Sequence, residues 1–182
     1  TVMITGDHKD TALATARTLK IADSPSQCMT GSELDCLGDG ELADKILEIR
    51  VFARVSPDHK VRIVRALKKK GGIVAMTGDG VNDAPSLKAA DVGIAISDGA
   101  EIAREIADIM VSSDDLYQIV TLKLLSDGLM KRIRKNYRVI VGFNTGLILL
   151  GVGGVLQPTT SALLHNTSTL VISLKSMQNL LS

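Results

Sequence analysis

Short aliphatic and β-branched runs recur at 2–4, 51–53, 73–76, 92–96 and 109–111, and stretches whose apolar residues have helical spacing separate them. Each run is nearly continuous in apolar residues, as befits strands covered by helices on both faces. The alternation predicts a parallel sheet with crossover helices. Polar groups gather just beyond two of the runs, as Thr5-Gly6-Asp7 and Thr77-Gly78-Asp79-Gly80. In open α/β sheets ligands sit outside the carboxyl ends of the strands, where loops and helix amino termini converge. Both Gly-Asp turns are therefore expected in one crevice.

From Asp114 the pattern changes. Asp114 and Asp115 stand at a capping position, and Leu116, Ile119, Val120 and Leu124 recur at helical spacing, predicting a long helix over 114–138. It ends in the basic cluster Lys131, Arg132, Arg134, Lys135 and Arg138, and an apolar run over 139–156 follows at once. That run is about long enough to cross a hydrocarbon core of roughly 30 Å. Positive charge before it places this side in the cytoplasm. After Gln157-Pro158-Thr159 a second run covers 162–181, interrupted by His165, Asn166 and Lys175. The two runs predict a transmembrane hairpin; the competing reading is a pair of buried core helices in a soluble protein. The expected organisation is an α/β domain with a Rossmann-like parallel sheet (1–113), a connecting stalk helix (114–138) and two transmembrane helices (139–182).

Composition narrows this picture. The 182 residues carry 21 Lys+Arg against 20 Asp+Glu, so charge gives no reason to invoke nucleic acid. Aromatic residues make up only 2% of a chain that is 45% hydrophobic, so its apolar mass is aliphatic, which suits parallel sheets and membrane helices. Cys28 and Cys36 have no accompanying cysteine pair and are expected as free, reduced cytosolic thiols. The amino terminus opens in a strand-like run, with neither an initiator Met nor a basic segment before it, so the chain is expected to begin inside a longer protein.

The strongest chemical signal is Thr77-Gly-Asp-Gly-Val-Asn-Asp-Ala-Pro85, in which Asp79 and Asp83 flank glycines at the end of a buried strand. A hard ion such as Mg²⁺ keeps several waters, so one or two carboxylates beside a substrate phosphate suffice to hold it. Gly78 and Gly80 allow a tight turn and close approach, and Asn82 can donate its side-chain amide to a phosphate. The dipeptides alone are ordinary turn formers. In Arg54-Val-Ser-Pro-Asp-His-Lys60, Ser56 suits an N-cap and Pro57 the first helical position. Lys60 then falls in the first turn, where the helix dipole does not favour a cation. A phosphate partner would account for it, as would simple solvation. Thr5 and Gly6 can bind a phosphoryl oxygen or merely form a turn.

In combination and order, these segments resemble the P-type ATPases of the haloacid dehalogenase-like superfamily, and the resemblance covers essentially the whole chain. Thr5-Gly-Asp is similar to that family's second phosphate-binding motif, residues 57–60 to its lysine motif and 77–85 to its Mg²⁺ signature. The resemblance implies that Thr5 and Gly6 bind phosphoryl group or nucleotide, that Lys60 neutralises phosphoryl charge, and that Asp79 and Asp83 hold Mg²⁺. It further implies that Asn82 orients the phosphate and that Asp7 and Arg54 contact ATP. The family's nucleophile is the Asp of an Asp-Lys-Thr-Gly motif, which does not occur here; neither Asp39-Gly40 nor Asp98-Gly99 is followed by Lys-Thr-Gly. The nucleophile and the remaining domains of an ion pump are thus expected upstream. This fragment alone is expected to be inactive.

Two membrane helices followed by the end of the chain resemble the heavy-metal-transporting class. His165 and Thr169 match the His-Glu-Gly-Gly-Thr pattern of a group linked to cobalt, zinc or iron, while Asn166, Thr167 and Ser168 depart from it. Polar groups at membrane depth are costly and usually functional, which makes Asn144, His165 and Asn166 candidates for a cation path; helix-to-helix hydrogen bonding is the alternative. The expected whole is an integral protein of the plasma membrane with its α/β domain in the cytoplasm, using ATP and Mg²⁺ to move a metal cation. The competing functions are a catalytically inactive membrane-anchored regulator and a soluble phosphatase, which would need its own nucleophilic Asp.

Overall fold

The computed structural model describes residues 1–113 and 115–179. The chain divides into two compact units, one ending at Leu116 and one beginning at Tyr117. In the first, strands β1 (Met3–Ile4), β2 (Cys28–Thr30) and β3 (Val51–Ala53) form a parallel sheet of order β1-β3-β2. A second parallel sheet has the order β4-β5-β6, from β4 (Ala75–Gly78), β5 (Val92–Ile96) and β6 (Ile109–Val111). The sequence predicts one continuous sheet; among the described residues, no backbone ladder joins these two. Packing joins them instead. Helix α4 (Pro57–Lys69) sends Ile63 into the core around Phe52 and Leu34, and the adjacent Val64 into the core around Met76 and Leu87, while Ile4 packs against both.

Central strand β3 is buried along its whole length, with Val51, Phe52 and Ala53 all at 0% exposure, because strands pair with it on both edges and helices cover it. Burying a side chain the size of Phe52 stabilises by about 2–3 kcal/mol. Around the strands lie α1 (Lys9–Thr18), α2 (Gly31–Asp35), α3 (Asp39–Lys45), α5 (Ala84–Ala89) and α6 (Glu101–Ile106).

The second unit is a helical hairpin. Helix α7 (Tyr117–Val152) runs 36 residues without interruption across the expected boundary between stalk and membrane segment. Its start lies beyond the expected cap at Asp114 and Asp115; Asp114 falls outside the described residues. Helix α8 (Pro158–Ser176) begins on the Pro158 that the sequence suggests as a break, because proline fits a first helical turn. The chain turns earlier, at Gly153 and Gly154, where Gly154 adopts φ +73, a conformation glycine takes without penalty. Residue pairs 132/178, 136/176 and 144/165 are bonded in opposite order along the two helices, so the hairpin is antiparallel.

Among the described residues no helix is long and apolar enough to cross a membrane, so the two expected spans are not seen as such. The run over 139–156 does not stay helical. It leaves helix after Val152, so its apolar helical part is only about 21 Å long. Helix α8 interleaves Thr, Ser, His and Asn among its leucines.

Candidate functional site

Three strand ends build the site in the first unit. At the end of β1 the Thr5 hydroxyl donates to the Asp7 carboxylate (2.9 Å) and accepts from the Asp7 backbone N–H (3.1 Å). The Arg54 N–H donates to the Asp7 carbonyl at 3.1 Å, and that of Val55 to the Thr5 carbonyl at 3.5 Å, so the ends of β1 and β3 are fastened together. Arg54 takes a left-handed backbone conformation (φ 51), and its side chain is exposed. A Cβ on Gly6 would meet nothing within 4 Å, so this glycine leaves its loop open rather than relieving a clash.

Beyond β3, Ser56 and Pro57 start α4 as the sequence predicts. The Ser56 hydroxyl accepts the His59 N–H at 3.3 Å, and Nδ1 of His59 accepts the Ser56 N–H at 3.0 Å. Because Nδ1 is an acceptor, the ring proton sits on Nε2, which donates to Asp35 at 2.8 Å. This orders the first turn and brings Lys60 to its place. The Lys60 ammonium lies 2.5 Å from Oδ1 of Asp83, with side-chain exposures of only 20% and 10%. The partner of this first-turn cation is thus a protein carboxylate.

Asp83 closes a short 3-10 turn, Val81–Asp83, between β4 and α5. Its Oδ2 accepts the Gly80 N–H at 3.2 Å, and its carbonyl accepts the hydroxyl of fully buried Ser86 at 2.8 Å. Gly78 is required for steric reasons: a Cβ there would lie 2.5 Å from Cβ and 2.7 Å from Cγ of Asp83. Asp79 differs from Asp83. Its carboxylate is exposed and has no hydrogen-bond partner among the described residues, while its carbonyl accepts the Ala100 N–H at 2.7 Å. The turn after β5 approaches so closely that a Cβ on Gly99 would lie 2.5 Å from that carbonyl. Gly99 and Ala100 are the site residues that sequence reasoning misses; Asp98-Gly99 registers there only as a turn lacking the nucleophile motif. Asn82 is exposed, with its amide free of partners among the described residues.

The structure thus joins Lys60 with Asp83, and Thr5 and Asp7 with the Arg54 loop; the Asp79 carboxylate is hydrogen-bonded to neither group. Among the described residues no cluster of three His, Cys, Asp or Glu side chains could hold a metal. Two carboxylates at one strand end remain, a set that suits an ion retaining most of its water.

In the second unit, Nδ1 of His165 and Oδ1 of Asn144 lie 2.8 Å apart and line a cavity of about 680 Å³ with Leu147, Ile148 and Ser161. Thr169, the other residue of the expected pattern, gives its hydroxyl to the His165 carbonyl at 3.0 Å. Asn166 is exposed and does not line the cavity.

Residues 1–91 match the family profile of haloacid dehalogenase-like hydrolases. A calcium-transporting ATPase of Bacillus cereus (strain ATCC 10987 / NRS 248) is 49% identical over 166 residues, covering 87% of this chain and 19% of the relative. Human calcium-transporting ATPase type 2C member 2 is 43% identical over 137 residues, 75% of this chain and 14% of that protein. The chain therefore spans less than a fifth of the length of these relatives. A zinc-transporting PIB-type ATPase solved in the E2.Pi state superposes with a TM-score of 0.74 at 25% identity, covering 97% of this chain and 24% of that one. The two relatives matched by sequence are named for calcium and the solved neighbour for zinc, where the sequence alone suggests the heavy-metal class. The chain belongs to the haloacid dehalogenase-like hydrolase family, and the longer proteins it resembles are P-type cation-transporting ATPases.

Proposed function

We propose that this chain supplies the charge-stabilising half of the phosphoryl-transfer site of an ATP-driven cation pump, together with one of the pump's helical hairpins. The observation that carries this reading is the 2.5 Å contact of Lys60 with Asp83 at the end of β4, near an Asp79 carboxylate that has no hydrogen-bond partner among the described residues. Asp79 and Asp83 would hold Mg²⁺, which supplies positive charge against a transferring phosphoryl group. Lys60 pairs with Asp83 and adds a second positive charge at the same strand end. The Gly6 N–H and the Asn82 amide would donate to phosphoryl oxygens, as would the Thr5 hydroxyl once it leaves the Asp7 carboxylate, and Asp7 and Arg54 would contact ATP. No Asp-Lys-Thr-Gly occurs among the 182 residues, so the phosphate-accepting carboxylate is assigned to another part of the pump. In the complete pump Asp79→Asn should abolish Mg²⁺-dependent phosphoenzyme while leaving the urea-unfolding midpoint unchanged. Normal phosphoenzyme levels would refute the assignment.

The hairpin is proposed to lie in the plasma membrane, its basic end toward the cytoplasm and its polar α8 face covered by other helices of the pump. Support comes from exposed apolar side chains on both helices, among them Ile148 (65%), Leu149 (67%), Leu163 (67%) and Leu170 (60%). For the cation, the His165–Asn144 pair favours a transition metal such as zinc or cobalt, since imidazole suits those ions and calcium prefers oxygen. Calcium is the second reading, favoured by the names of the relatives. ATP hydrolysis by the complete His165→Ala pump separates them: zinc stimulation should fall if His165 is a ligand, whereas unchanged calcium stimulation would leave calcium as the cargo.

A further inference from the structure

A second cleft lies between α7 and α8, at the carboxyl end of α8. It has a volume of about 450 Å³ and is lined at one end by Lys131, Lys135 and Lys175, and at the other by Val139, Val171 and Ile172. Its walls are held in place. Arg132 donates to the carbonyls of Ser176 (2.9 Å), Gln178 and Asn179 (2.9 Å), capping the end of α8. The amide of Asn136 donates to the Ser176 hydroxyl at 2.7 Å, tying the same two helices one turn deeper.

Arg132 is committed to those carbonyls. The three lysines have no ion-pair partner among the described residues. Asp127, the sole carboxylate between residues 117 and 179, pairs with Lys123 at 2.8 Å and attracts Lys131 only at longer range. A helix carboxyl terminus favours a nearby cation, which explains Lys175. It does not explain Lys131 and Lys135, which lie in the interior of α7 and face the same cleft. Three ammonium groups around one concavity repel each other unless an anion sits among them.

We propose that this cleft binds the phosphate headgroup of an acidic phospholipid, with Lys131, Lys135 and Lys175 on the phosphate and the acyl chains leaving along Val139, Val171 and Ile172. The inference rests on the proposed placement of the hairpin in a bilayer. The apolar end decides between anions: inorganic phosphate or a nucleotide would satisfy the lysines but leave that wall uncovered, whereas a lipid matches both ends. Basic pockets between helices on the cytoplasmic side of a membrane recognise such headgroups, each nearby Lys strengthening attachment about fivefold.

The test is flotation of the full 182-residue chain with vesicles of phosphatidylcholine alone and of phosphatidylcholine mixed with phosphatidylglycerol, at constant ionic strength. The wild-type chain should float with both and prefer the mixture. Lys175→Gln should weaken that preference about fivefold, and the triple change Lys131→Gln, Lys135→Gln and Lys175→Gln about a hundredfold. The corresponding triple Lys→Arg variant should keep it. The control Arg65→Gln, Lys69→Gln and Lys88→Gln, which removes the same charge elsewhere, should change little. Equal losses in the control would reduce the effect to bulk charge and overturn the site. Displacement from the mixed vesicles by inorganic phosphate at matched ionic strength would overturn the lipid assignment in favour of free phosphate. Flotation with both vesicles alike would overturn the headgroup site while sustaining the membrane placement; flotation with neither would overturn both.

Discussion

Lys60 and Asp83 are the two side chains on which the proposed chemistry depends, and their coupling can be measured without any activity. Both are largely buried and 2.5 Å apart, so removing one leaves the other charge inside the protein without its partner. For buried pairs that costs about 3–5 kcal/mol. Here Asp83 retains the Gly80 N–H at 3.2 Å, and both side chains keep some solvent contact, which places Lys60→Met at the lower end, about 3 kcal/mol. Asp83→Asn preserves shape but turns an amide toward an ammonium, at a similar cost of about 3 kcal/mol. The double variant buries no unpaired charge. Its cost should be about 3–4 kcal/mol rather than the sum, leaving a coupling of about 2–3 kcal/mol. The assay is urea unfolding of the full chain in mild detergent, followed through the first unit. With a slope of roughly 2 kcal/mol per molar, each single change lowers the midpoint by about 1.5 M. Additivity within about 0.5 kcal/mol would show that the two groups do not interact in solution, and the site would lose its central contact.

Two further outcomes follow from the geometry. Gly78→Ala forces a Cβ to within 2.5 Å of the Asp83 side chain, so it should destabilise by about 1–3 kcal/mol and reduce the Lys60–Asp83 coupling in the same cycle; wild-type coupling in that background would contradict the steric argument. Lys9 holds the Glu33 carboxyl below the usual carboxylate range, helped by the Thr30 N–H, and Glu33 in turn raises Lys9. A lowered carboxylate stabilises above its unfolded value and loses that contribution as pH falls through the folded value. The deficit of Glu33→Gln should therefore be present at neutral pH and vanish in acid. The Lys9 contribution, of opposite sign, is lost only as pH rises past the raised value. Both side chains are at least a third exposed, so the difference in unfolding free energy should stay under about 1 kcal/mol. An equal deficit in acid would rule out the ion pair as its cause.

Five of the six strands are legible in the sequence because each is a continuous aliphatic run. β2 is not: Cys-Met-Thr lacks a β-branched run and sits in a polar stretch, and only its pairing with β3 makes it a strand. β4 starts two residues later than hydrophobicity suggests, at Ala75, leaving Ile73 88% exposed after the Gly71-Gly72 turn. That shift carries Thr77 and Gly78 into the strand. In the candidate site, residue types and order single out strand-end segments, but the partner of Lys60 is invisible in sequence, because phosphate and carboxylate make the same demand on a lysine. The grip of Gly99 and Ala100 on Asp79 is hidden for another reason: it is a backbone contact, and any strand end can carry Asp-Gly. In the hairpin, apolar length alone suggests two spans, whereas Gly153 and Gly154 decide where the first helix stops.

The absence of a break between stalk and hairpin has a mechanical meaning. Sharp bends in helices arise at prolines, bulges or inserted waters, and α7 contains no proline over its 36 residues, about 54 Å. Tyr117 and Asn144 therefore share one continuous backbone ladder with no proline between them. Its far end is set by Gly153-Gly154, so that Lys131, Lys135 and Asn144 sit on α7 as spokes on one axle.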